Sequence, residues 1–143
     1  MRSLRSALAG CGLQVGLIIW SCTLLAGCGS ANVVDVKFNG FAIVSDRSSI
    51  KTGSVVFQLT NKDGQVLHQF IIVQTDLPAG KLPLGADARA DTSALTIVSS
   101  LDKLDVGQSA SLTANLAPGH YVLMCNIVGH YQLGMHTDFT VTP

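Results

Sequence analysis

The chain has 143 residues, 48% hydrophobic and 13% charged, with nine Lys and Arg against nine acidic residues and a formal net charge of zero. That length supports one domain with a real core. The acidic residues are all Asp and all follow residue 28, so the body of the chain is weakly acidic without a basic run, which argues against nucleic-acid binding.

The chain opens with Arg2 and Arg5, continues through the uncharged apolar run Ala7–Leu25, and reaches small residues and a cysteine. This is the layout of a secretory signal. Its end, "LAGC" (Leu25-Ala26-Gly27-Cys28), resembles the lipobox of bacterial lipoproteins. That resemblance implies cleavage before Cys28 and diacylation of its sulfur. The alternative is an uncleaved anchor, because the apolar run is nearly long enough to span a membrane. Either reading places the remainder outside the cytoplasmic membrane, on its periplasmic or outer face. The expected organisation is a signal peptide over 1–27, a lipidated tether over 28–32 and one domain over 33–143. Cys11 and Cys22 leave with the signal and Cys28 is taken by lipid, so Cys125 is left as one thiol in a compartment that oxidises exposed thiols.

From the tether onward the pattern is β. "VVDVKF" (Val33–Phe38) and "FAIV" (Phe41–Val44) read as strands. "SVVFQLTN" (Ser54–Asn61) alternates, "KDG" supplies a turn, and "QVLHQFIIVQT" (Gln65–Thr75) follows, which predicts a hairpin. Pro78, Gly80, Pro83 and Gly85 exclude long regular elements from the middle, Asp76–Gly107, where "ADARADTSA" suggests one or two helical turns. "SASLTANL" (Ser109–Leu116) alternates again, "APGH" (Ala117–His120) is a turn, and "YVLMCN" (Tyr121–Asn126) and "HTDFTVT" (His136–Thr142) are strands. Short strands, turn residues and no long amphipathic helix predict an all-β antiparallel Greek-key sandwich or barrel.

The segment "MCNIVGHYQLGMHTDF" gathers one Cys, two His and two Met into sixteen positions. Cys125, His130 and Met135 are spaced C-x4-H-x4-M, and His68 on the Gln65–Thr75 strand is the candidate for a further ligand. Two imidazoles and a thiolate with a weak axial thioether suit copper electron transfer. Zinc prefers tetrahedral Cys and His sets. Met124 neighbours Cys125 on a strand and should point to the opposite face, as core or surface. His120 follows a Pro-Gly turn and is expected to be solvated, and His136 is expected to alternate away from the metal side.

On these residues the chain resembles a cupredoxin, a blue copper protein of the plastocyanin, azurin and sulfocyanin type. The family order His, Cys, His, Met is met by His68, Cys125, His130 and Met135; "NKDGQVLHQF" resembles the stretch around the first ligand, and "GHYVLMCNIVGHYQLGMHTDFTVTP" the strand–loop–strand end. Two departures stand out. Val128 replaces the Pro that often precedes the loop's Gly-His, and Gln69 replaces the Asn that often follows the first His. The Gln69 backbone N–H can still reach the cysteine sulfur. Both departures bear on redox potential rather than on the metal.

The resemblance implies a membrane-anchored electron carrier with one type 1 copper, shuttling electrons between redox partner proteins of the cell envelope. It is not expected to be an enzyme, since four protein ligands leave no open position for substrate. A monomer is expected. The alternatives are a lipoprotein that binds, stores or delivers copper and a metal-free adhesive β-sandwich. His130 lies mid-loop, so one ring edge is expected to face solvent. Its uncharged neighbours Ile127, Val128, Gly129, Tyr131, Leu133 and Gly134 would form a docking rim, or else pack inward.

Overall fold

In "VVDVKF" the alternation of apolar and polar side chains is realised as a strand that buries Val34, Val36 and Phe38 and exposes Asp35 and Lys37. The computed structural model describes residues 32–143. The apolar N-terminal run, the "LAGC" motif and most of the tether lie outside the described residues. Among the described residues nine strands follow in order: β1 (Asn32–Asn39), β2 (Ala42–Ser45), β3 (Ser49–Lys51), β4 (Gly53–Asn61), β5 (His68–Gln74), β6 (Thr96–Leu104), β7 (Ser109–Leu116), β8 (Gly119–Met124) and β9 (His136–Thr142). They form a four-stranded sheet ordered β2-β1-β4-β7 and a five-stranded sheet ordered β3-β9-β8-β5-β6. Among the described residues no helix is long and apolar enough to cross a membrane.

The all-β class is as the sequence predicts, but the pairing is mixed rather than antiparallel. β1 runs parallel to β4 and β3 parallel to β9. The cause is the short β3: it joins the five-stranded sheet between β2 and β4, so β4 returns to the first sheet alongside β1. The predicted hairpin across Ser54–Thr75 does not form either. β4 pairs with β1 and β7, while β5 pairs with β6 and β8. Residues 62–67 instead carry the chain from one sheet to the other.

Between the sheets lies the main core, which includes Phe57 against Phe70 at 5.5 Å and against Phe139 at 5.8 Å between ring centroids. Such pairs add about 0.5–1.5 kcal/mol each beyond their burial. The central strands β5 and β8 are buried on both faces. Their outer face is covered by the irregular segment Asp76–Leu95, which builds a second apolar cluster from Ala79, Leu82 and Ala90 against Ile71, Val73, Val122, Met124 and Tyr131.

This segment contains one 3-10 turn, Ala79–Lys81, and "ADARADTSA" forms turns rather than helix. The side chains of Asp87 and Asp91 accept from the backbone N–H groups of Arg89 and Ser93 two residues on, and Ala88 takes a positive φ of 61°. Local bonds of this kind compete with helix for the same donors. Side chains from the loop between β8 and β9 hold the segment down. The Tyr131 hydroxyl accepts from Leu82 N at 3.0 Å and donates to Ala79 O at 2.5 Å. Asn126 both accepts from and donates to the Ala90 backbone, at 2.7 and 3.0 Å.

Candidate metal centre

Three buried side chains converge at one end of the sandwich. The ligating atoms of His68, Cys125 and His130 all lie within 4.8 Å of one another. His68 is the first residue of β5, Cys125 directly follows β8, and His130 sits on the loop before β9. The sulfur of Cys125 lies 3.4 Å from His130 Nδ1 and accepts from Gln69 N at 3.3 Å. Gln69 therefore makes the backbone contact to the sulfur, even without the Asn seen in many relatives.

The ligand loop closes on itself. Cys125 N donates to Met135 O at 3.0 Å, and Met135 N donates to His130 O at 3.1 Å. Gly129 and Gly134 adopt φ values of 80° and 100°, which side-chain-bearing residues rarely take. These bonds tie Cys125, His130 and Met135 into one small ring. Met135 is fully buried in the same cluster as Cys125. Met124 packs in the second cluster, on the opposite face.

The remaining histidines serve the scaffold. His120 is half-buried, with Nδ1 2.6 Å from Thr75 O and Nε2 2.9 Å from an Asp138 oxygen. Instead of being solvated it pins β8 to its neighbours. His136 lies against Tyr131, 4.8 Å between ring centroids, and beside Gly80.

Phe41 packs edge-on against His130 at 5.1 Å and leaves it 7% exposed, a narrow opening that fits the expected solvent-facing ring edge. One expectation about the loop needs correction. Tyr131 is buried rather than part of an open rim, since its hydroxyl is held beneath the 76–95 segment. Val128 and Leu133 do face solvent, at 54% and 60% exposure.

Both imidazoles are held below their ordinary value, chiefly by burial, with Asp63 opposing the shift. They are thus neutral near pH 7 with lone pairs for a metal. Burial pushes the Cys125 thiol up, partly offset by the backbone N–H groups of Gln69 and Ile127. The thiol must lose its proton to bind a metal. His68 is the clearest sign that a group belongs here. Both its nitrogens are buried and have no hydrogen-bond partner, a state that is costly unless something else binds them. A neutral imidazole pair beside a soft sulfur fits copper.

Sequence reasoning missed four residues around this site. Phe38 stacks on His68, 5.4 Å between centroids at 23°, and Phe41 covers His130, so one hairpin turn braces both imidazoles. Asn61 and Asp63 shape the approach to His68. The "NKDG" run signals a turn, but not that its side chains face a histidine five residues on.

Sandwich and site together define a cupredoxin, and the donor set is compatible with one type 1 copper. The sulfocyanin (SoxE) domain matches residues 21–143, and the chain belongs to that family. Similar solved structures share the fold. Auracyanin from the photosynthetic bacterium Roseiflexus castenholzii is 23% identical, with 80% of this chain and 100% of that one covered and a TM-score of 0.59. Auracyanin A, a "blue" copper protein from Chloroflexus aurantiacus, is 21% identical over 77% and 98%, with a TM-score of 0.55. Rusticyanin from Thiobacillus ferrooxidans is 21% identical over 79% of each chain, with a TM-score of 0.60. Among curated protein sequences there is no significant match.

Proposed function

We propose that the protein is a membrane-anchored, extracytoplasmic electron carrier, with His68, Cys125 and His130 as equatorial copper ligands and Met135 as the axial one. The observation that carries this reading is the burial of two imidazoles and a thiol with their ligating atoms within 4.8 Å, and with both His68 nitrogens unpartnered. Bound copper would supply a one-electron couple. The chain's own part is to hold the ligands still and exclude water. Sheet ends fix His68 and Cys125, and the self-bonded loop fixes His130 and Met135, so little rearrangement accompanies a change of charge. Copper storage or delivery favours exposed, exchangeable ligands; here all four side chains are buried.

Lipid on Cys28 would keep the domain at the membrane, and the partners would be redox proteins of the cell envelope. Exposed Val128, Leu133 and Phe41, at the loop and beside His130, offer an uncharged face for brief docking. The test is electron transfer from the copper-loaded protein. Copper should resist a competing chelator for hours while cycling reversibly, and Val128→Lys or Leu133→Asp should slow transfer to the partner without changing the spectrum. Rapid loss of copper to the chelator would favour copper delivery. Wild-type transfer in both variants would place docking elsewhere.

A further inference from the structure

His68 Nε2 lies 3.7 Å from the Asp63 carboxylate oxygen Oδ2. The other carboxylate oxygen, Oδ1, is already engaged, accepting from Gln65 N at 2.9 Å. Asp63 is anchored from behind as well: its own N–H donates to Asn61 Oδ1 at 2.9 Å, and Asn61 is fully buried. One bond therefore holds the carboxylate and the other its backbone, with the second carboxylate oxygen facing His68 Nε2. The Asp63 side chain is only 14% exposed, which limits screening of its charge by solvent. Phe38, stacked on the ring, restricts its rotation.

We infer that Asp63 is a positioning residue for the metal centre: its carboxylate, 3.7 Å from His68 Nε2 and so too far to be a hydrogen-bond partner, electrostatically favours the proton on that nitrogen and leaves Nδ1 as the metal-binding one. The inference rests on the copper reading above. A histidine ligand has two nitrogens, and the partner of one decides which is left for the metal. A carboxylate is acceptor-only, so Asp63 favours the Nε2–H form. Its negative charge also stabilises the more positive oxidation state of a bound copper. Asp63 thus makes His68 a better ligand and Cu(II) a more favoured state.

The alternative is that Asp63 serves only its turn. Asp63→Asn separates the two roles, because an amide oxygen can keep the bond from Gln65 N while placing NH2 toward His68. Two donors would then face each other, and His68 would shift to the Nδ1–H form, which blocks its metal-binding nitrogen. Three readouts follow, each on wild type, Asp63→Asn and Asp63→Ala. Nitrogen NMR of the metal-free domain at pH 7.5 should show His68 as Nε2–H in wild type and as Nδ1–H in Asp63→Asn. Cu(II) affinity should fall about 10–100-fold in Asp63→Asn, the usual cost of losing such a partner. The preference for Cu(II) over Cu(I) should fall about tenfold, raising the potential by about 59 mV. Asp63→Ala should lose urea resistance through the broken turn, while Asp63→Asn should keep it. Unchanged tautomer, affinity and potential in a folded Asp63→Asn would overturn the inference and leave Asp63 as a turn residue. If wild type fails to bind copper through Cys125, the functional reading fails instead, and the tautomer measurement still decides the role of Asp63.

Discussion

Replacing Asn61 with Ala should unfasten the loop that delivers Asp63 and His68 to the site. Asn61 is fully buried, and its amide makes three bonds: Nδ2 donates to Val66 O at 2.9 Å and to Leu104 O at 3.1 Å, and Oδ1 accepts from Asp63 N at 2.9 Å. The Leu104 bond is buried, and a buried carbonyl left alone costs about 1–3 kcal/mol. The other two are half-buried, so water can partly replace them, at about 0.5 kcal/mol each. The sum is about 3 kcal/mol, and for a domain of this size about 4 °C per kcal/mol gives a drop in Tm of about 12 °C. Asn61→Asp should cost more, since it keeps the acceptor for Asp63 N, loses both donors and aims a carboxylate at two carbonyls. The assay is urea and thermal unfolding of the metal-free domain from residue 29, with copper affinity measured in parallel. A loss below about 0.5 kcal/mol in Asn61→Ala, with copper affinity unchanged, would refute the idea that these bonds latch the loop.

Other predictions address separate parts of the account. Met135→Gln should retain copper and lower the potential, because an amide oxygen favours Cu(II) over Cu(I); an unchanged potential in a loaded variant would remove Met135 from the axial role. In the metal-free domain, His68, His130 and His136 are each held below the ordinary 6.5 by burial. The unfolded chain therefore binds more protons just below that value, and stability that is full above about pH 6.5 should be lost as pH falls toward 5. Urea midpoints at pH 7.5 and 5.0 measure this, and a higher midpoint at pH 5.0 would contradict it. Cys28→Ala should abolish lipid attachment, seen as loss of detergent-phase partitioning by the processed protein; equal partitioning of both processed forms would argue against lipidation.

Legibility in the sequence followed the range of the interactions. Strands that alternate on one buried face, such as Ser109–Leu116 and His136–Thr142, were readable because period-two patterning is local. The exchange between sheets after Asn61 was not, because "NKDG" reads the same whether the chain turns back or crosses over. Long-range contacts, such as the bond from Asn61 to Leu104 O across 43 positions, distinguish the two. The parallel β1–β4 and β3–β9 pairs were hidden for the same reason. The 76–95 segment was unreadable because its backbone is satisfied by distant side chains, Asn126, Tyr131 and Asp138. In the site, Cys, His and Met announced themselves by residue type. Phe38 and Phe41 did not, since an aromatic that braces an imidazole looks in sequence like any other core residue.

The most direct test of the central claim is the visible spectrum of the domain after one equivalent of Cu(II), recorded for wild type and for Cys125→Ser. The account predicts intense thiolate-to-copper charge-transfer absorption in wild type, bleached by ascorbate and restored on reoxidation, and its absence from a folded Cys125→Ser. A faint spectrum typical of exposed imidazole–copper in wild type, or a serine variant that remains blue, would contradict it.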